Sequence, residues 1–237
     1  MKYCSLIFFL ILFSCSREDN SHTLINTRLD RITTKDSSGN ILNVIDYEYD
    51  INDLKIITET NSNGEIFTST LNYNSEGKVT SITYSNGTEI FYSYGFFDDN
   101  LIGSEIKVNG TIIKHRYYYD QMQLISDKIY ENDILICEIN YTYDGFTINV
   151  SNNCTSENFI IEQDGTSISP LASAYDYQLL NINNLGSRNF KSILNVNTNQ
   201  FTTYVYDEYN ERNLVLNKRM YINGELINII IYDYDLR

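Results

Sequence analysis

The chain has 237 residues and carries 31 acidic against 17 basic side chains, which gives a formal net charge of −14 at pH 7. This excess of negative charge repels phosphate backbones, so the composition predicts no nucleic-acid partner. The 21 Tyr, with a single Pro and no Trp, argue against a disordered chain and favour strands with one half-buried face.

The first 20 residues have the pattern of an exported, lipid-anchored protein. Lys2 precedes an apolar run over residues 6–13, which is too short to span a bilayer because about 20 residues are needed. The residues Leu12-Phe13-Ser14-Cys15 resemble the lipobox of bacterial lipoproteins, and this resemblance implies a diacylglycerol on the sulfur of Cys15. We therefore predict a signal peptide over 1–14 and a lipidated tether over 15–27. An ordinary signal peptide with an incidental cysteine is the alternative.

The start of the tether also resembles a sorting signal. Its polar start, Ser16-Arg17-Glu18-Asp19-Asn20, resembles the export tag of Bacteroidota lipoproteins. The resemblance implies an outer-membrane protein that is held to the membrane by its lipid and directed to the cell surface. A plain solvated tether, which leaves the protein on the periplasmic side, is the other interpretation.

An internal repeat of 23 or 24 residues follows the tether. Its aromatic markers are Tyr49, Tyr73, Phe96, Tyr119 and Tyr143, and a Gly-Asn or Asn-Gly pair precedes each of the first four by nine or ten residues. Asn-Gly favours a tight hairpin turn in which both residues have φ > 0. The short polar residue after a marker, such as Asp50 or Asp144, opens the next turn by bonding its own backbone. Residues 28–148 are therefore predicted to form consecutive antiparallel hairpins.

Alternation of residue types predicts the buried side of each strand. In residues 45–50, Ile45, Tyr47 and Tyr49 share one face while three acids share the other. Inward rings pack the sheet, whereas outward rings beside Asn and Asp bind sugars. On the second interpretation, the candidate ligand-binding residues are Tyr47, Tyr49, Tyr94, Tyr119 and Tyr143.

The repeat breaks over residues 149–190, which contain the lone Pro170 and no Asn-Gly pair. We predict an irregular insertion with a short helix ending near Gly186, and further hairpins of the same sheet over 191–237. Five repeats before the insertion and two after it correspond to about 14 strands. A sheet of that size must curl to bury one face. The predicted fold is therefore an all-β antiparallel meander of hairpins in a strongly curved or barrel-like sheet.

Two cysteines remain after the anchor. In an oxidising envelope, Cys137 and Cys154 can form a disulfide, and closing a loop of that size contributes about 3 kcal/mol. Cys137 lies in an apolar strand, so a buried free thiol is the alternative.

Residues suited to catalysis are scarce. The histidines are His22 in the tether and His115, and neither a Ser–His–Asp set nor a metal-binding motif is recognisable. Acids are so numerous that a pair of carboxylates does not indicate a glycosidase. We therefore predict no enzymatic activity, no cofactor and no metal.

Two segments, YEYDINDL from Tyr47 and YNSEGKV from Tyr73, resemble the YD repeats of RHS-type proteins, whose hairpins build large curved sheets. Together with the lipobox, the acidic tether and the segment from Leu179 to Phe190, they resemble small lipoproteins of Bacteroidota over nearly the whole mature chain. That resemblance implies an anchor residue and a β-sheet, but no catalytic residues.

We predict a non-enzymatic, lipid-anchored envelope protein with a structural or protein-interaction role, whose partners are envelope proteins. The alternative is a surface lipoprotein that binds glycans or small ligands through exposed Tyr, Asn and Asp side chains.

Overall fold

The computed structural model describes residues 27–50, 53–95, 101–120, 123–168, 188–210 and 214–236. In these ranges the chain forms 16 strands and no helix. The strands are β1 (Thr27–Asp36), β2 (Ile41–Asp50), β3 (Asp53–Asn61), β4 (Ile66–Tyr73), β5 (Val79–Tyr84), β6 (Glu89–Tyr94), β7 (Leu101–Val108), β8 (Thr111–Asp120), β9 (Gln123–Glu131), β10 (Ile134–Asp144), β11 (Thr147–Asn152), β12 (Glu157–Ile168), β13 (Arg188–Asn195), β14 (Gln200–Tyr209), β15 (Val215–Ile222) and β16 (Glu225–Leu236).

Each strand pairs antiparallel with the next, and β1 pairs with β16, so the sheet closes into a barrel. This confirms the predicted all-β antiparallel meander and shows that the curvature goes to full closure. Consecutive strands form eight hairpins within the described ranges, from β1–β2 to β15–β16. The turns inside hairpins all lie at one end of the barrel, here called the turn end. The connections between hairpins and the start of β1 lie at the opposite end, here called the tyrosine end.

Turns inside the hairpins have two geometries. At Asn109-Gly110 both central residues have positive φ (49° and 81°), as a two-residue hairpin turn requires. Asn132-Asp133 has the same geometry without a glycine (49° and 66°). At Asn63-Gly64 only the glycine has positive φ, and its N–H donates to the C=O of Asn61 across a longer turn. The Asn-Gly pair therefore predicts the position of a turn correctly, but the predicted turn type is wrong here.

The inner wall of the barrel is apolar and aromatic. Cross-strand pairs such as Ile32 with Tyr232 and Tyr47 with Ile57 face each other on it. The side chains that are at most 1% exposed are Leu29, Leu71, Val79, Leu101, Leu124, Ile148 and Val215. Burying an aliphatic side chain of this size contributes about 1.5–3 kcal/mol, so these residues anchor the wall.

The structure differs from the sequence prediction over residues 149–190. Residues 149–152 belong to β11, residues 157–168 form β12, and residues 188–190 begin β13. The pairs Ile148 with Ile161 and Val150 with Phe159 continue the inner wall there. The predicted helix near Gly186 lies outside the described residues. The prediction of about 14 strands is too low because the β11–β12 hairpin has neither the aromatic marker nor an Asn-Gly turn.

Candidate functional site

The five candidate ligand-binding tyrosines lie on the inner wall. Tyr47 is 5% exposed, and Tyr49, Tyr94, Tyr119 and Tyr143 are half-buried against the same apolar clusters. They therefore do not form an exposed aromatic face on the outer wall, which the glycan interpretation needs.

Four of these tyrosines, with three others, share one kind of hydrogen bond. Among the described residues, seven phenol hydroxyls donate to a backbone C=O at 2.6–2.9 Å: Tyr49 to Leu29, Tyr73 to Leu54, Tyr94 to Val79, Tyr119 to Leu101, Tyr143 to Leu124, Tyr206 to Phe190 and Tyr234 to Val215. In every case the acceptor lies at the start of a hairpin's first strand and the tyrosine near the end of its second. The strand pairing within the hairpin stops before it reaches either residue. The hydroxyl thus bonds a carbonyl beyond the end of the ladder and holds the hairpin closed at the tyrosine end. We call these contacts tyrosine clamps.

One clamp departs from the sequence repeat. The spacing makes Phe96 the marker of the β5–β6 hairpin, but Tyr94 makes the clamp there. Strands β5 and β6 have only six residues each, against ten in β1 and β2. The tyrosine that reaches the first strand therefore comes two residues earlier. Phe96 itself lies outside the described residues.

Burial of the rings also changes their acidity. Removal from water raises the pKa of Tyr143, Tyr206 and Tyr234 above the usual tyrosine value. For Tyr141, burial is again the main cause and the Asp127 carboxylate raises the pKa further. These hydroxyls consequently stay protonated at physiological pH, as donors must.

A small polar cluster interrupts the inner wall on β7, β8 and β9. His115 Nδ1 lies 2.8 Å from Asp127 Oδ2, and the His115 ring stacks on Tyr117 with centroids 6.0 Å apart. The hydroxyls of Ser104 and Tyr117 are 3.1 Å apart. Ser104, Tyr117 and Asp127 are each 7% exposed, so the cluster is shielded from water.

This cluster contains the residue types of a catalytic triad but not its geometry. Ser104 faces His115 across β7 and β8, and His115 contacts Asp127. The Ser104 hydroxyl, however, bonds Tyr117, and Ser104 is only 7% exposed. A nucleophile needs its base within hydrogen-bond reach and an approach for the substrate. The arrangement satisfies buried polar groups; sequence reasoning missed it because the three residues are 11 and 12 positions apart on different strands.

The outer wall carries many polar side chains. One row of directly paired residues crosses five strands as Asp233, Arg31, Asp46, Thr58 and Thr68, and another crosses four strands as Ser126, Asn140, Ser151 and Asn158. The predicted alternation, with Tyr47 and Tyr49 inside and acids such as Glu48 outside, accordingly agrees with this wall.

A depression of about 390 Å³ opens on the outer wall over β6, β7 and β8. Its lining includes Ser93, Gly103, Arg116, Lys114 and Tyr118. A Cβ at Gly103 would lie 2.8 Å from the C=O of His115, so no side chain fits there and the floor is bare backbone. The volume is within the range of small-molecule sites, about 300–1,000 Å³.

The cysteines of the barrel are joined. Cys137 on β10 forms a disulfide with Cys154, in the turn between β11 and β12, across a sequence separation of 17 residues. The anchor residue Cys15 lies outside the described residues. In the described part of the chain, no three His, Cys, Asp or Glu side chains converge as metal ligands, and no helix is long and apolar enough to cross a membrane.

Comparison with known proteins finds similar folds among solved structures. No protein-family model and no curated protein matches this chain. It is similar to the crystal structure of a porin-like protein from Bacteroides uniformis ATCC 8492, with a TM-score of 0.62 and 16% sequence identity over 89% of this chain and 98% of that one. It is also similar to a porin-like protein from Bacteroides vulgatus ATCC 8482, with a TM-score of 0.49 and 12% identity over 87% of this chain and 98% of that one. The first similarity supports the barrel architecture and, at this identity, the fold alone.

Proposed function

We propose that this chain is a non-enzymatic lipoprotein of the outer membrane, anchored through Cys15, whose barrel stands outside the bilayer and binds another envelope protein. The observation that carries the proposal is a set of exposed apolar side chains at the turn end. It comprises Ile41, Leu42, Ile66, Phe67, Ile134, Leu135, Ile136, Val196 and Phe201, and is called here the turn-end rim.

The outer wall argues that the barrel does not cross the membrane itself. A bilayer-spanning barrel has an outward apolar band about 25 Å tall and places polar residues inside. Many pairs in this barrel have the opposite arrangement, such as Arg31–Asp46 outside and Ile32–Tyr232 inside, while Ile231 is an apolar residue that faces outward. On this proposal, the chain shares its barrel fold with a porin-like protein, but the outer wall of this barrel is in contact with water.

The rim is an apolar part of the surface. Ile134 is 70% exposed and Ile66 is 63% exposed, and both directly follow a hairpin turn. Exposed apolar groups of this density are typical of protein–protein contacts. Strand β1 begins at the tyrosine end, so the chain that follows the proposed anchor joins the barrel at the end opposite the rim. That position favours a protein partner over the membrane as the occupant.

Site-specific photo-crosslinking in cells tests this function. A photoreactive residue at Ile134 should give a discrete cross-linked product containing a second envelope protein. The matched control is Asn140, which is exposed on the outer wall of the same strand, β10, and should give none. Equal labelling from both positions, or none from Ile134, would overturn the partner contact. A product made of two copies of this chain would replace the partner by self-association.

A further inference from the structure

The depression on the outer wall contains an unusual pairing of charges. Arg116 lies directly opposite Lys128 on β9 and directly opposite Gly103 on β7. Like charges facing each other across paired strands are destabilising. On the other side, the residue directly opposite Arg116 is Gly103, which has no side chain to offset this.

The neighbouring lysines each have an acidic partner. Lys114 Nζ lies 2.7 Å from Asp133 Oδ1, and Lys128 Nζ lies 3.8 Å from Glu138 Oε1. Arg116 differs: its guanidinium lies 4.9 Å from the centroid of the Tyr130 ring, and within the described ranges no carboxylate forms an ion pair with it. A cation–π contact leaves the N–H donors of the guanidinium available.

The shape of the depression complements this charge. Gly103 leaves the backbone of β7 open beside Arg116, and the hydroxyl-bearing Ser93 lies directly opposite Gly103 on β6. Tyr118, 41% exposed, stands on β8 two residues after Arg116. One cation with free donors, one hydroxyl and one exposed ring thus line the same space.

We propose that this depression binds a carboxylate-bearing sugar. The Arg116 guanidinium receives the carboxylate, because its planar fork matches the two oxygens. Ser93 and Glu105, which also lines the depression, bond the sugar hydroxyls, and the apolar face of the pyranose lies against Tyr118. The residues are distinct from the inward tyrosines of the sequence analysis, and the site is independent of the anchor and of the turn-end rim.

The acidity of the whole chain does not prevent this binding. Charges separated by more than about 8–10 Å are largely screened at physiological ionic strength. At the depression itself, Lys114 is paired with Asp133, Lys128 with Glu138, and the lining Glu105 with Lys107. The ligand carboxylate therefore responds mainly to Arg116.

Calorimetric titration of the full chain in detergent micelles with trigalacturonic acid tests the site. Binding is expected for the wild type and for Arg31→Gln, which removes an outer-wall arginine that is paired with Asp46. Arg116→Gln should weaken it at least about tenfold, because a hydrogen-bonded charge pair is lost. Arg116 is exposed, so the variant should fold normally, and circular dichroism verifies this.

Any of the following results would contradict the proposal. Equal affinity of Arg116→Gln and wild type places the sugar elsewhere. Equal affinity for the methyl-esterified trimer removes the role of the carboxylate. Binding of acetate as tight as that of the trimer reduces the site to a simple anion site. No binding of the trimer at millimolar concentration overturns it outright.

Discussion

Each tyrosine clamp combines a packed ring with one hydrogen bond, and substitution can separate the two contributions. The ring of Tyr119 packs against the buried cluster that contains Leu101 and Leu124, while its hydroxyl donates to the C=O of Leu101 at 2.8 Å. The tyrosine markers Tyr49, Tyr73, Tyr119 and Tyr143 therefore recur at the positions where a hydroxyl bonds the backbone of the first strand.

Replacing Tyr119 by Phe should keep the ring and remove the hydrogen bond. The buried carbonyl of Leu101 then loses its partner, and we expect the free energy of unfolding to fall by about 1–2 kcal/mol. The measurement is the midpoint of urea unfolding. Tyr118→Phe, on the outer wall one residue away, is the control and should change it by less than about 0.5 kcal/mol. Equal effects at the two positions would show that the clamp contributes nothing specific.

Because folding raises the pKa of several buried tyrosines, the stability of the fold depends on pH in the alkaline range. Folding raises the pKa of Tyr143, Tyr206 and Tyr234 above the usual tyrosine value near 10, so the folded chain binds these protons more tightly than the unfolded chain. The corresponding stability is complete below about pH 10 and is lost as the pH rises further. Urea midpoints between about pH 8 and pH 11 should fall, with tyrosinate absorbance appearing as the chain unfolds. A constant midpoint across that range would contradict the burial of these rings.

At the scale of single residues, the sequence predicts which face of a strand a side chain lies on, but not which residue it contacts. Alternation alone places Tyr47 and Tyr49 on the buried face, and the structure agrees. The acceptor of Tyr49 is Leu29, 20 residues earlier, and no local pattern identifies it. The same limit applies to the depression, since Gly103 and Arg116 become neighbours only through strand register.

At the scale of elements, the β11–β12 hairpin is the exception. It has no tyrosine clamp among the described contacts, and its strands instead stay paired up to Thr147 and Glu162. The disulfide from Cys137 ties its turn to the preceding hairpin. This hairpin therefore has a covalent link at the turn end and, among the described contacts, no tyrosine clamp at the tyrosine end.

Removing this disulfide should be costly. The double variant Cys137→Ser, Cys154→Ser is expected to lose about 3 kcal/mol of unfolding free energy, because a closed loop no longer restricts the unfolded chain. Equilibrium urea unfolding measures it. Reductant should lower the wild-type midpoint and leave the double variant unchanged; a wild-type midpoint that ignores reductant would mean that the bond does not contribute.

The sequence predicts a hairpin correctly where an aromatic marker and an Asn-Gly pair occur together. Hairpins with both an aromatic marker and an Asn-Gly pair, such as β3–β4 with Asn63-Gly64 and Tyr73, are predicted correctly. The β11–β12 hairpin has neither, since Cys154 lies in its turn and Gln163 occupies the inner wall near its open end. The remaining signal is the alternation of Ile148 and Val150 on β11 and of Phe159 and Ile161 on β12. Such short alternation is weak without turns to bound it.

At the scale of the whole molecule, closure depends on pairing between the two ends of the chain. Leu29 lies opposite Tyr234, and Ile32 lies opposite Tyr232. The sequence predicts that a large sheet must curl, because one face needs burial. It does not distinguish a closed barrel from an open one, since both have the same local strand pattern.

The lipid anchor is also tested at this scale. Cys15→Ala should abolish labelling by radioactive palmitate and move the protein from the membrane fraction to the soluble fraction, because the acyl chains supply the membrane affinity. The barrel itself should remain folded, as thermal unfolding can verify. Labelled or membrane-bound protein in the variant would mean that the anchor is elsewhere. That outcome would leave the carboxylate-sugar site unaffected.

The closing pair β1–β16 has a kinetic consequence. Every other pairing joins strands that follow one another in the chain, so the hairpins can form one by one at little entropic cost. The seam between Leu29 and Tyr234 must bring the two ends of the chain together and carries the greatest loop-closure cost. It should therefore be the last pairing to form and the first to open. Until it forms, β1 and β16 are unprotected edges that can recruit strands from other chains.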